Sequence, residues 1–92
     1  MGIRRIRKAV REGRYEFTGH ALDEMDEDGL CEADVRAVVS KGEVLDVLTN
    51  DPRGLRYVVN GKPGDGSGSV EVVCRFLPSA RLRIITVYRV GD

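Results

Sequence analysis

The hydrophobic period of this 92-residue chain changes once, at Gly42, and that change limits the folds open to it. Before Gly42, apolar residues recur every three or four positions, as one face of a helix requires. After Gly42 they alternate, as one face of a strand requires. Helices first and strands afterwards, joined by short loops, give an α+β architecture rather than alternating βαβ units. A chain this short buries about 60% of its unfolded surface. One domain over residues 1–92 with a small two-layer core is therefore expected.

Three helices are expected before Gly42. Ile3, Ile6 and Val10 stripe the first, which Gly13 ends. Tyr15-Glu16-Phe17 reads as a short extended link. Thr18 is a good N-cap for a second helix over residues 19–28, striped by Ala21, Leu22 and Met25 and stopped by Gly29. Its acidic last turn opposes the helix dipole, so its end is marginal or a basic group lies close by. Leu30-Cys31-Glu32 opens the third helix, with Val35, Val38 and Val39 facing inward and Lys41 in its last turn.

Four strands are expected afterwards, over residues 43–49, 55–60, 70–77 and 81–90. The turn formers Asn50–Gly54, a glycine-rich loop at 61–69 and Pro78-Ser79-Ala80 separate them. Short connections favour antiparallel neighbours. The expected fold is three helices on one face of a four-stranded antiparallel meander. Strict alternation places Leu82, Ile84, Thr86, Tyr88 and Val90 on one side of the last strand. Arg81, Arg83, Ile85, Val87 and Arg89 fall on the other. Arg56 shares a face with Val58, and Arg75 with Val73. The sheet can thus present an arginine cluster on the face opposite its most apolar one. Arginine's planar fork grips phosphate, although arginines on strands also serve as solvated edge charges.

Formal charge sums to zero but is segregated. Residues 1–14 hold six Lys/Arg and one Glu, residues 15–52 two Lys/Arg and eleven Asp/Glu, and residues 53–92 seven Lys/Arg and three Asp/Glu. A neutral chain can therefore carry a strong local field. The single histidine, His20, stands in the stretch FTGHALDEM, in the first turn of the second helix. There it feels the helix dipole and the carboxylates of Asp23 and Glu24, which pull its protonation in opposite directions. Such a group suits acid–base work near neutral pH. The competing reading is a ring packed between helix and sheet.

Other chemistries lack their residues. No Walker or dinucleotide-binding glycine motif is present, and GDGSG at 64–68 leads into no helix. Two cysteines and one histidine make no zinc-binding pattern, so no metal and no cofactor is expected. Cys31 and Cys74 are expected as reduced thiols packed like small hydrophobes. No 18-residue apolar run or secretory leader is present, which implies a cytoplasmic protein with no membrane partner. What arginines, a histidine and a tyrosine can do without a metal is cleave RNA. The 2′-hydroxyl attacks its own phosphodiester, arginines hold the crowded phosphorus centre, and an acid protonates the leaving oxygen. The candidate residues are His20, Tyr88 and Arg83 for catalysis, with Arg56 and Arg75 holding the substrate phosphate. A non-catalytic protein- or nucleic-acid-binding module is the competing function.

The string FTGHALDEM, with Asp34-Val35, Gly42-Glu43-Val44, Asp51–Gly54 and Ile85-Thr86-Val87-Tyr88, resembles a small bacterial domain-of-unknown-function family with an F-T-x-H-A-x-x-R-M motif and a closing I-T-V-Y. The likeness spans about residues 15–90. That family is similar to the RelE/MqsR-like toxins, often encoded beside a YgiT-type zinc-finger antitoxin. The resemblance implies a RelE/MqsR-like fold, metal-independent mRNA cleavage and neutralisation by an antitoxin partner. His20 matches the family histidine and Tyr88 its terminal tyrosine. Glu24 departs from the pattern, standing where the family commonly has a cation, and Cys31 replaces a usual Ser/Thr.

Overall fold

The computed structural model describes residues 2–64, 66 and 68–90. Its elements follow the order α1 (Gly2–Arg11), β1 (Tyr15–Phe17), α2 (Gly19–Glu27), α3 (Glu32–Lys41), β2 (Glu43–Leu48), β3 (Arg56–Gly61), β4 (Ser69–Phe76) and β5 (Leu82–Val90). The architecture is α+β. The sheet has five strands in the order β1-β5-β4-β3-β2 and is mixed. The expected four-stranded meander is thus corrected by one strand. Tyr15–Phe17 pairs in parallel with Leu82–Ile84. Three residues are too few to show a strand period, and their partners lie 67 positions away.

Each helix starts and stops for a local reason. Thr18 caps α2, its Oγ1 accepting from the Ala21 N–H at 3.1 Å. Cys31 and Asp34 form a reciprocal capping box at the start of α3. Cys31 is therefore an exposed cap rather than a small core residue, whereas Cys74 is fully buried. Arg7 of α1 reaches the end of α3, donating to the carbonyls of Val39 (3.1 Å) and Gly42 (2.7 Å). Those carbonyls have no partner within the helix.

One core joins the layers. Ile6, Ala9 and Val10 of α1 and Val35, Val38 and Val39 of α3 pack on Val59, Val70, Val72, Cys74, Leu82, Ile84 and Val87 of the sheet. The end of α3 lies flush on β3 because Gly42 and Gly61 leave room. A Cβ at Gly42 would fall 2.2 Å from the Asn60 carbonyl oxygen, and one at Gly61 would fall 2.6 Å from that of Val38.

α2 runs along the outer edge of β5, where β1 has ended. Thr18 N–H donates to the Ile84 carbonyl (3.0 Å) and Thr18 Oγ1 to that of Ile85 (3.0 Å). Farther along, Val87 N–H donates to Glu24 Oε1 and Arg89 N–H to Asp28 Oδ2, each at 3.0 Å. Arg89 Nε donates to the Asp28 carbonyl at 3.1 Å. The acids that oppose the α2 dipole thus satisfy a strand edge and meet a basic group. No helix among the described residues is long and apolar enough to cross a membrane.

Candidate functional site

Cross-strand register builds the site on the sheet face opposite the core. Arg56 of β3 stands opposite Arg75 of β4, Arg75 opposite Arg83 of β5, and Arg83 opposite Glu16 of β1. Three guanidinium-bearing residues therefore sit side by side on neighbouring strands about 4.8 Å apart. The next row on this face is Val58, Val73 and Thr86, and beyond it come Asn60, Glu71 and Tyr88.

Tyr88 reaches this face through a bulge. Cys74 pairs with Ile84 but Val73 pairs with Thr86, so Ile85 is an extra residue. The bulge inverts the alternation beyond it. Leu82 and Ile84 face the core before it, and Val87 faces the core after it. Tyr88 consequently shares a face with Arg83, which corrects the strict alternation expected from the sequence.

The three arginines differ in their partners. Arg83 donates to Glu16 Oε2 through Nε at 3.0 Å, and its Nη2 lies 3.0 Å from the same oxygen as an ion pair. Arg56 Nε lies 3.3 Å from Asp51 Oδ2, without hydrogen-bond geometry. Asp51 is itself buried, and the Arg53 backbone N–H, followed by the Arg53 side chain, holds its carboxyl below the usual range. Arg75, in the middle, is only 6% exposed. Its Nε is buried with no acceptor, and its guanidinium bonds to nothing among the described residues. A guanidinium remains protonated in proteins, and burying its Nε–H without an acceptor is costly.

Tyr88 Oη donates to Glu71 Oε1 at 2.6 Å. That bond, followed by burial and the charges of Glu71 and Glu24, raises the phenol's pKa. Tyr88 is thus a phenol at neutral pH, with a carboxylate ready to exchange its proton. Sequence reasoning missed Glu71. Its parity with Arg75 in β4 was visible, but its pairing with Tyr88 depends on the bulge. The Glu71–Tyr88 row lies four residues, about 13 Å, from the Arg75–Arg83 row along the strands. Arginine and tyrosine side chains together can cover that length.

His20 is not packed between helix and sheet. Its side chain is 65% exposed, and Nε2 lies 3.4 Å from Glu24 Oε2. Glu24 is in turn tied to the β5 edge through Val87 N–H. His20 therefore stands on the helix that follows β5 beyond the end of β1. Arg83 and Tyr88 lie on β5, although His20 hydrogen-bonds to neither among the described residues. No group of three or more His, Cys, Asp or Glu side chains among those residues is arranged to hold a metal ion.

A family model described as a domain of unknown function (DUF4258) matches residues 17–89. No curated protein and no solved structure matches the chain.

Proposed function

We propose, from the premise that the chain belongs to the DUF4258 family, that its open sheet face binds RNA and cleaves it without a metal ion. The observation that carries this reading is Arg75, 6% exposed with its Nε buried and without an acceptor, between two other arginines in register. A residue so costly to the fold is explained when its acceptor is a ligand. A phosphodiester oxygen has the charge, and the forked geometry, that arginine pairs with.

In this reading Arg56, Arg75 and Arg83 hold the phosphate and offset the charge that grows on its oxygens. The 2′-oxygen forms a bond to phosphorus as the bond to the 5′-oxygen breaks. His20 takes the 2′-hydroxyl proton. Tyr88 gives its phenolic proton to the leaving 5′-oxygen and regains one through Glu71. The products are a 2′,3′-cyclic phosphate and a 5′-hydroxyl. A RelE/MqsR-like toxin fold and a zinc-finger antitoxin that covers this face belong to the same proposal. They follow from the motif likeness of FTGHALDEM and ITVY.

The test is purified protein incubated with a generic mRNA in EDTA, beside His20→Ala, Arg75→Met and Tyr88→Phe. Wild type should release cyclic-phosphate ends. Arg75→Met should lose about 100-fold or more in rate, the scale set by removing one charge-stabilising donor. Intact RNA that binds with steep salt dependence would leave a non-cutting RNA binder. Neither cleavage nor binding would end the RNA reading.

A further inference from the structure

Behind the arginine row, on the other side of the sheet end, α1 and the turn between β4 and β5 enclose a shallow cleft of about 190 Å³. Arg5, Lys8, Arg14, Phe76 and Ala80 line it. Resting on the RNA reading above, we propose that this cleft is a nucleotide subsite. It takes one unpaired base of single-stranded RNA on the Arg5–Phe76 stack and an adjoining phosphate on Lys8 and Arg14.

Three features support the assignment. The first is a ready platform. The Arg5 guanidinium carbon lies 4.2 Å from the centroid of the Phe76 ring, which meets Tyr57 edge to face at 6.4 Å. The ring thus backs the guanidinium from below, and Arg5 is exposed on its outer side. A flat cation fixed this way presents a plane on which any base stacks. The second is charge. Lys8 is exposed, and its ammonium makes no hydrogen bond or ion pair among the described residues. Arg14 is held at the rim by its bonds to the Ala80 carbonyl through Nη1 and to Glu12 Oε1 through Nε, both at 2.8 Å, so a phosphate would meet its Nη2. Ala80 itself adopts φ 72°, a left-handed conformation costly for a residue with a Cβ. The third is continuity. Phe76 follows Arg75 directly in β4, and successive strand residues face opposite sides. A strand of RNA leaving the arginine row and rounding the turn at 77–81 enters this cleft. Arg5, Lys8 and Arg14 lie before the family-matched residues 17–89, whereas Phe76 and Ala80 lie within them.

The experiment uses the whole chain and a single-stranded RNA hexamer with 2′-O-methyl sugars, which cannot be cleaved. One base is replaced by 2-aminopurine, whose fluorescence falls on stacking, and the label is moved along the hexamer. Wild type should quench the label most at one position. Arg5→Gln should weaken hexamer binding about tenfold and abolish that quench. Arg5→Lys, which keeps the charge but loses the plane, should do the same. None of these variants should alter the binding of inorganic phosphate, which reports on the arginine row. Full hexamer affinity and an unchanged quench in Arg5→Gln would overturn the subsite. If Arg75→Met still weakened both ligands, the RNA reading would survive that loss. If Arg75→Met weakened neither, the arginine row would fall as well.

Discussion

Replacing Arg75 with methionine should make the protein more stable and less able to bind phosphate. Arg75 is 6% exposed, its Nε has no acceptor, and it stands between two other arginines. Replacing buried ions by apolar residues of similar volume is commonly neutral or stabilising by about 1–4 kcal/mol. Methionine retains much of the apolar stem and the packing of its methylenes. A gain of about 2 kcal/mol is expected here. For a domain this size each kcal/mol moves Tm by roughly 4–8 °C, so Arg75→Met should melt about 8–16 °C higher at low salt. The gap should narrow as salt screens the repulsion along the row. Calorimetry with added phosphate supplies the second half of the test. Phosphate at ten times its Kd should stabilise wild type by about 1.4 kcal/mol through mass action and leave the variant unmoved. A variant that melts several degrees below wild type would refute the reasoning, because Arg75 would then hold the fold together rather than await a ligand.

Ala80→Gly should raise the urea midpoint by the equivalent of about 1 kcal/mol, since glycine adopts the φ of 72° without strain. Of the two thiols, Cys31 should react with a thiol reagent in the native protein. Cys74, whose pKa burial pushes up to about 12, should react only on unfolding. The phenol of Tyr88 is raised mainly by its bond to Glu71, and that of Tyr15 mainly by burial. A raised native pKa gives stability that is complete below the unfolded value of about 10 and is lost as pH rises through the native one. Alkaline unfolding, followed by circular dichroism, should therefore shift to higher pH in Tyr88→Phe. The Asp51 carboxyl is lowered, so its contribution is present above the unfolded value and is lost as pH falls through the native one. Asp51→Asn should flatten the acid limb of the stability curve.

Much of this was legible before any coordinates. The helix periods, the Thr18 cap and the shared parity of Arg56, Arg75 and Arg83 are local or short-range facts, and local rules predict them well. Two features were not legible for physical reasons. Tyr15–Phe17 forms a strand only because the edge of β5 needs a partner, and that partner is distant in sequence. The bulge at Ile85 carries Tyr88 to the arginine face, yet isoleucine carries no local signal of a bulge. Glu24 shows a third limit. Its place beside His20 follows from helix spacing, but its acceptance of the Val87 backbone N–H, 63 positions away, does not.

The most direct measurement is a nitrogen–proton spectrum of the arginine side chains, recorded as uncleavable RNA is added. The account predicts that the Nε–H signals of Arg56, Arg75 and Arg83 move together with the same affinity, and that Arg75 moves farthest. RNA that binds while the Arg75 signal stays fixed would contradict it.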